Sequence, residues 1–359
     1  MESPEGMPLG NKCGRVEEPP KLMNEQQKAQ RKLERKEARR RQKQEHRDAF
    51  KVLARIFDRR PVFREAFAHR PLTLVDVGAR GGLAANWNQV AGMLRVIAFD
   101  PDARVASHYE GNVREVVFIP KALHEAPGSY PFYVSAHLFE SSFLKPNFPL
   151  LHLYGIDRLF ETTQVIPVET TTLDNIATEH GPWFDFIKID TQGSELAILR
   201  GGESMLRGLT FGLQVEVEFV PLYVDQPLFA DIDVYLRARG FELMTLEGLS
   251  ARRFSRRGLP RHGELDVPKG AGQLTSADAL YFRSMDRVRR QLESMSPADC
   301  LRFVAGAVAT CIVQGYVDYG EEVLEVGSHR ITSEAREDLH YALCLYHRER
   351  VDVGLASSE

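Results

Sequence analysis

The sequence has few cysteines and no long apolar run. Its four cysteines, Cys13, Cys300, Cys311 and Cys344, form no C-x-x-C pair and are too few for a disulfide framework in 359 residues. No run of about 18 uncharged apolar residues is present, so we expect no membrane span. Residues 1–6 are acidic and polar, unlike a signal peptide. Together these absences predict reduced thiols and a cytoplasmic location.

Charge is distributed unevenly along the chain. Residues 21–60 contain fifteen Lys and Arg but six Asp and Glu, a local charge of +9 in a chain of net charge −4. This segment lacks Gly and Pro, which predicts a basic charged helix that could form a coiled coil. The mixture of Pro, Gly and charge in residues 1–20 predicts a disordered tail.

The apolar residues of the basic helix are too sparse to bury a face over most of its length. Residues 21–57 could form a solvated helix that has no partner. If they bind a partner, the conceivable ones are the acidic body of the protein, an anionic membrane or nucleic acid, and another helix, including self-association. Nucleic acid is the weakest of these, because acids interrupt the basic residues and no aromatic residue precedes Phe50.

Residues 61–285 alternate between apolar runs and helical patterns. The runs at residues 72–77, 96–100 and 115–119 predict buried parallel strands, and further strands are predicted at 184–190, 213–219, 241–246 and 279–283. Helices are predicted at 194–207 and 230–239. This alternation predicts an α/β domain with a doubly wound sheet.

Two further segments are predicted around this domain. Residues 248–272 are rich in Arg, Gly and Pro, which predicts an exposed loop. After residue 285 the strand pattern stops, and amphipathic patterns at 301–325 and 334–349 predict a C-terminal helical appendix over residues 286–359. Ser296 followed by Pro297 predicts the start of a helix.

The strongest local motif is DVGARGG at residues 76–82, at the end of the first predicted strand. Glycines there allow a sharp turn and close approach to a ligand, and the helix expected directly after the turn would present free N–H groups at its N-terminus. The glycines stand at 78, 81 and 82, which is not the G-x-G-x-x-G pattern of a dinucleotide site. Asp76 disfavours a pyrophosphate and favours a cationic group. The turn therefore favours a cationic nucleoside.

A carboxylate ends the second predicted strand about twenty residues later. Asp100 can accept hydrogen bonds from both hydroxyls of a ribose. An acidic strand end is a weak signal alone. Together with the glycine turn it predicts a nucleoside site.

These motifs resemble the FkbM family of S-adenosylmethionine-dependent methyltransferases. The resemblance rests on residues 76–82, on Phe99-Asp100-Pro101, on Thr172-Leu173-Asp174, on IKIDTQGSE at 187–195 and on ADALYF at 277–282. It covers residues 72–284. It implies a Rossmann-like, seven-stranded methyltransferase sheet whose last strand is antiparallel, with S-adenosylmethionine as cofactor. Arg80 and Asp100 depart from the Asn and Glu that the family commonly has there.

The resemblance also implies roles for individual residues. The methionine end of the cofactor would be bound by Asp76, Gly78, Ala79, Arg80 and Gly82, and the ribose by Asp100. The adenine edge would be bound by Ala122 and Leu123. Asp190 and Gln192 would lie beside the transferred methyl. The acceptor class implied is a hydroxyl on a sugar, glycan or secondary metabolite, which makes the chain an O-methyltransferase.

Methyl transfer to a hydroxyl also needs a base. Asp190 is the first candidate because its strand end lies nearest the cofactor, and Glu216 or Glu218 on the next strand is the second. His124, His137 and His152 are weaker candidates. Lys188 is expected to pair with a carboxylate. No His, Cys and Asp cluster has metal-ligand spacing, so we expect no metal.

Two other functions stay open at the level of sequence. An NAD(P)-dependent oxidoreductase would share the sheet but should carry the G-x-G-x-x-G turn. A non-catalytic Rossmann-like scaffold would act through its helical extensions. The intact Asp76, Gly78, Asp100 and Asp190, at three strand ends, argue against the scaffold.

Overall fold

A computed structural model describes residues 56–57, 60–109, 113–254 and 272–352. These residues belong to one compact unit, Asp48–Glu359. The predicted tail at 1–20, nearly all of the predicted basic helix at 21–60 and most of the Arg-rich segment lie outside the described residues. Ile56 and Phe57 are buried in the main core.

The strands form two sheets. In chain order the described strands are β1 (Leu72–Val77), β2 (Leu94–Phe99), β3 (Glu115–Ile119), β4 (Ala122–Leu123), β5 (Gly128–Ser135), β6 (Thr162–Thr171), β7 (Phe186–Ile189), β8 (Gly212–Glu218), β9 (Phe241–Arg252) and β10 (Gln273–Arg283). The larger sheet has the order β3-β2-β1-β7-β8-β10-β9, and the smaller has the order β4-β6-β5.

The larger sheet confirms the mixed α/β class and the seven strands predicted for it. β1, β2, β3, β7 and β8 are parallel, and β10 pairs antiparallel with both β8 and β9. Every residue of β1 is buried, as expected for a strand covered on both faces. The predicted loop at 248–272 is wrong in its first part, because residues 248–252 extend β9 and pair with the start of β10.

The smaller sheet was not predicted. β5 and β6 pair antiparallel, with Phe132 opposite Ile166 and Val134 opposite Gln164. Many of their side chains are half-buried or exposed, so these strands lack the continuous apolar runs that identify β1 and β2. The sequence pattern predicts no strand in residues 120–183.

Helices cover both faces of the larger sheet. One face packs against the helices Leu173–His180, Glu195–Arg200, Glu203–Arg207 and Phe229–Arg237. The other packs against Pro61–Ala66, Met285–Glu293, Pro297–Gln314, Val317–Gly327 and Ser333–Asp352. The single helix predicted at 194–207 is two helices. They are separated at Gly201, where a Cβ would lie 2.2 Å from the carbonyl oxygen of His124.

The C-terminal helices share a core with the sheet. Pro297–Gln314 is buried around most of its circumference, and its residues pack in the same cluster as Phe186 and Phe282 of the sheet. The core is thus continuous across residue 285, where the sequence predicted a boundary. The Ser296 cap is as predicted, since its hydroxyl accepts a hydrogen bond from the Asp299 N–H.

A buried ion pair holds this helix to the sheet. Both guanidinium nitrogens of Arg302 donate to the Asp185 carboxylate, at 2.7 and 2.8 Å. Arg302 also donates to the carbonyl oxygens of Arg70 and Pro71, just before β1. Pro297–Gln314 is long and apolar enough to cross a membrane, but 72% of it is buried inside the structure, so this is weak support for a span.

The connection from β1 to β2 contains only short 3₁₀ helices, at Ala79–Gly81 and Trp87–Met93. The sequence predicted an α-helix N-terminus directly after the glycine turn, and this is wrong. Trp87 and Val90 of this connection pack in the cluster that contains the helix Pro297–Gln314. The C-terminal helices therefore cover part of the sheet face that a longer crossover helix would cover.

Candidate functional site

A cavity of about 780 Å³ lies at the carboxyl ends of β1, β2, β7 and β8. Open α/β sheets bind their ligands at this edge. Nine of the predicted site residues line it: Gly78, Arg80, Asp100, Ala122, Leu123, Asp190, Gln192, Glu216 and Glu218. The structure thus brings together residues that are up to 140 positions apart in the sequence. Asp76, Ala79 and Gly82 are not among the lining residues.

Gly78 forms the turn after β1 in a backbone conformation that favours glycine. Its φ is +82°, and its N–H donates to the carbonyl oxygen of Phe99 at 3.1 Å. A Cβ at this position would lie 1.8 Å from the carbonyl oxygen of Asp190. The glycine is therefore required for the packing of β1 against the end of β7, in addition to any contact with a ligand.

Asp76 lies behind this turn. Its side chain is buried, accepts a 2.6 Å hydrogen bond from the hydroxyl of Tyr109 and lies 3.6 Å from the Lys188 ammonium. Burial raises its pKa, and Lys188 and Tyr109 act in the opposite direction. Asp76 alternates with Val75 and Val77, so its side chain points away from the face that they occupy. Asp76 is not among the residues that line the cavity. The resemblance places it at the methionine end of the cofactor, and that role stays a prediction.

Ala79 and Gly82 also contribute to the turn from outside the cavity wall. Ala79 is buried, and its carbonyl oxygen accepts the N–H of Gly82 at 3.0 Å. Gly82 has a φ of +69°, and a Cβ there would lie 3.3 Å from the His108 carbonyl oxygen. Both residues shape the loop.

Asp100 is a buried carboxylate at the end of β2. Its Oδ1 accepts the N–H of Asp102 at 2.8 Å and lies 3.6 Å from the guanidinium of Arg80. Burial is the largest influence and raises the pKa of Asp100. Asp102 lies nearer to the surface, where hydrogen bonding to Arg104 lowers its pKa to about 2. Arg80, where the family commonly has Asn, thus bridges two carboxylates.

Ala122 and Leu123 form β4 and are buried at the edge of the cavity. The neighbouring His124 stacks on Tyr130, with 4.2 Å between ring centroids, and its burial lowers its pKa. His137 lies 3.5 Å from Glu140, and His152 lies 3.4 Å from Asp157. None of these three histidines is among the lining residues of the cavity.

Asp190 and Gln192 lie after β7 and face the cavity. Asp190 is 39% exposed, and its Oδ2 lies 3.7 Å from Lys188, which confirms the predicted pairing of this lysine with carboxylates. Gln192 has a φ of +60°, which is rare for a residue other than glycine. Its amide nitrogen donates to Glu216 at 2.6 Å and to Asp190 at 3.3 Å. Gln192 therefore holds the two carboxyl groups in place.

Glu216 and Glu218 lie on β8 and on the same face of it. The pKa of each is raised well above its usual value, mainly by burial and then by neighbouring carboxylates. Like charges that cannot be hydrated disfavour a second ionisation. The inner end of the cavity therefore contains several acidic groups whose negative charge is poorly neutralised.

Sequence reasoning missed Glu195, which holds the turn at residues 191–193. Glu195 is 1% exposed and accepts hydrogen bonds from the N–H groups of Thr191 and Gly193 and from the Thr191 hydroxyl, at 2.9 to 3.1 Å. It lies within the IKIDTQGSE motif. An acidic residue in the first turn of a predicted helix was the available signal.

Sequence reasoning also missed the part of the lining that the smaller sheet supplies. Phe132, Val134, Ile166 and Val168 of that sheet line the cavity. The alternation in residues 130–134 and 164–168 was the available signal. Apolar side chains of the smaller sheet therefore line the same cavity as the acidic residues at the strand ends.

Away from the cavity, Glu321, His340 and Cys344 lie close together. The Glu321 carboxylate is 2.9 Å from Nδ1 of His340, and the Cys344 sulfur is 3.5 Å from Nε2 of the same ring. The two partners lie at opposite ring nitrogens, an arrangement unsuited to one ion as it stands. The absence of a metal stays a prediction.

Comparison with known proteins identifies the domain. Residues 76–243 match the family model of the methyltransferase FkbM domain. Comparison with curated proteins gives no match. Among solved structures, the chain is similar to the methyltransferase FkbM from Methylobacillus flagellatus KT, with 16% sequence identity and a TM-score of 0.33. That similarity covers 58% of this chain and 43% of the other, so the chain spans less than half of that relative. The chain therefore carries a methyltransferase domain of the FkbM family at residues 76–243.

Proposed function

We propose that this methyltransferase uses S-adenosylmethionine and methylates a hydroxyl oxygen of a sugar, glycan or secondary metabolite. The observation that carries the proposal is the convergence of Gly78, Asp100 and Asp190, from three strand ends, on one cavity. Its volume of about 780 Å³ lies in the range of small-molecule sites.

The residues present fit this cofactor. The carboxylate of Asp100 can accept the ribose hydroxyls, and the turn at Gly78 brings backbone close to the ligand. Asp190 and Glu216 supply negative charge at the inner end, which favours a sulfonium and disfavours a pyrophosphate. When bound, S-adenosylmethionine supplies an electrophilic methyl group on its sulfonium.

Asp190 is the residue best placed to take the acceptor proton. It is the more exposed of the carboxyl groups that Gln192 contacts, and it faces the cavity. Gln192 fixes the position of Asp190, which aligns the base with the acceptor. The Lys188 ammonium lies 3.7 Å from Oδ2 of Asp190. Glu216 is tied to Gln192 by the shorter hydrogen bond and is the second candidate.

Calorimetric titration of the full chain tests the cofactor. We expect S-adenosylmethionine and S-adenosylhomocysteine to bind and NADH not to bind. Asp100→Ala should weaken binding by about 1.5 to 3 kcal/mol, the loss of a hydrogen bond to a charged acceptor. Asp286→Ala, an exposed aspartate on the helix Met285–Glu293, is the matched control and should bind normally.

The outcomes separate the two nucleotide classes. If the protein binds NADH but not S-adenosylmethionine, the proposed cofactor is wrong and the ligand is a dinucleotide. Normal affinity in a folded Asp100→Ala protein would move the ribose contact to another residue. Transfer of a labelled methyl group to a panel of sugars and polyols, with location of the label by mass spectrometry, then tests the oxygen acceptor.

A further inference from the structure

The inner end of the cavity holds a buried carboxyl group whose hydrogen bonding is incomplete. Glu218 lines the cavity and is 1% exposed, and its Oε2 accepts no hydrogen bond of normal geometry from the described residues. The side chain of Gln226 lies next to Glu218 and acts to lower its pKa, against the larger effect of burial. The neighbour of Glu218 on the same face of β8, Glu216, accepts a hydrogen bond from Gln192. A buried carboxyl oxygen without a partner is costly, so an occupant of this site that donates a hydrogen bond is favoured.

The positive groups that line the inner end are already engaged with other acids. Lys188 lies between Asp76 and Asp190, 3.6 and 3.7 Å from their carboxylate oxygens. Arg252 also lines the cavity, and its charge acts on Glu140. Glu216 and Glu218 have neither cation as an ion-pair partner within 4 Å among the described residues.

The smaller sheet adds apolar side chains to the lining of the same cavity. Phe132 and Ile166 face each other on adjacent strands of the smaller sheet, and both line the cavity. An occupant that fits both these side chains and the acids has an apolar body and a positively charged end.

We propose that Glu216 and Glu218 bind a protonated amine of the methyl acceptor, while Phe132 and Ile166 contact its apolar body. This inference rests on the proposed function, because it names the acceptor class of that methyltransferase. A protonated amine has no lone pair, so it is held and is not methylated. The methylated atom is a separate hydroxyl on the same acceptor, near Asp190.

The site also predicts how binding depends on pH. Asp190, Glu195 and Glu140 face Glu218, and these charges add to burial in raising its pKa. Tyr223 lies close to the same acids, and its own pKa is also raised. The carboxyl groups must lose a proton to pair with an ammonium, so the affinity for an amine increases with pH and binding releases protons. A neutral hydroxyl that accepts a hydrogen bond from a protonated carboxyl group would show the opposite trend.

Two probes of nearly the same shape test the proposal. Tyramine carries an aromatic body, a hydroxyl and an ammonium, and tyrosol has a neutral hydroxyl where tyramine has the amine. Each is titrated into the full-length protein saturated with S-adenosylhomocysteine, so the cofactor's own amine cannot account for the signal. We expect tyramine to bind about tenfold or more tightly than tyrosol, the preference given by a charge-assisted hydrogen bond.

The variants assign the preference to these carboxyl groups. In Glu218→Gln and Glu216→Gln the preference for tyramine should fall toward unity, while Glu179→Gln, on an exposed face of the helix Leu173–His180, should keep it. Equal affinities for the two probes, or no binding of tyramine up to its solubility limit, would overturn the proposal. So would a preference that persists in both cavity variants.

The titrations also separate this inference from the proposed function. A protein that binds tyramine through Glu218 but does not bind S-adenosylhomocysteine would retain the amine site and lose the cofactor assignment. For that case the tyramine titration is repeated without cofactor. If the protein binds S-adenosylhomocysteine but shows no preference for tyramine, the cofactor assignment is supported and the amine site is refuted.

Discussion

Replacing Gly78 by alanine should destabilise the protein and disturb the cavity. The added Cβ would lie 1.8 Å from the Asp190 carbonyl oxygen, so the two strand ends must separate. The φ of +82° also raises the conformational energy of alanine, because a residue with a Cβ is strained in this backbone conformation. We expect a loss of about 2 to 5 kcal/mol in the free energy of unfolding, from about 1 to 2 for the left-handed backbone and about 1 to 3 for the overlap.

Gly81→Ala is the matched control, three residues further along the same loop. A Cβ at Gly81 meets no atom within 4 Å, and its φ is not in the left-handed range. Its free energy of unfolding should be unchanged or slightly higher, by up to about 1 kcal/mol. Urea unfolding followed by circular dichroism measures both variants. If Gly78→Ala is as stable as Gly81→Ala, the close packing of β1 on Asp190 is refuted.

Three further predictions concern other parts of the domain. Arg302→Ala should cost about 3 to 5 kcal/mol in urea unfolding, because it leaves the buried Asp185 carboxylate without its charge partner. The folded-state pKa of Glu218 is raised, so its contribution to stability is present at low pH and is lost as pH rises through that pKa. Glu218→Gln should therefore gain stability over the wild type as pH rises. Asp190→Asn should bind S-adenosylhomocysteine normally and lose methyl transfer.

Two of these predictions have a control variant, and the third has an outcome that would contradict it. Arg289→Ala breaks an exposed pair with Asp286 and should change stability by less than about 1 kcal/mol. Glu179→Gln should show the same dependence of stability on pH as the wild type, so a parallel curve for Glu218→Gln would contradict the role of burial. Turnover retained by Asp190→Asn with an identified acceptor would assign the base to another residue, Glu216 first.

The larger sheet could be predicted because its strands are short, continuous apolar runs. Residues 72–77 are all buried, and such a run followed by glycines has few alternatives to a parallel strand. Asp100 and Asp190 could be located for the same reason, since each comes directly after such a run. Their meeting at one cavity follows from the parallel arrangement of β1, β2 and β7.

The smaller sheet could not be located in this way. Val165 is exposed, while Phe132 faces the cavity, so these strands carry no common apolar pattern. The contacts of Asp76 could not be predicted either, because sequence spacing does not reveal what a side chain meets on its face of the sheet. Tyr109, its hydrogen-bond partner, is 33 residues away, and no local motif connects them.

The C-terminal helices were interpreted as an appendix because the strand pattern ends before them. The composition of Pro297–Gln314 held a different signal, since residues such as Val304, Ala305 and Val308 leave it no polar face. A helix that is apolar around its circumference is buried on all sides. In this protein its partner is the sheet itself.

The shared core of the sheet and the late helices also sets the order of folding during synthesis. The ribosome completes β1 and β7 before it makes the helix that carries Arg302. Until then Asp185 has no guanidinium partner, and the sheet face around Phe186 and Phe282 lacks the cover of the helix Pro297–Gln314. Tyr346 belongs to this core. Folding of the domain therefore finishes only after about residue 346 has left the ribosome. During that interval the nascent chain presents an apolar face to chaperones, and a message truncated after residue 285 would encode a sheet that stays exposed.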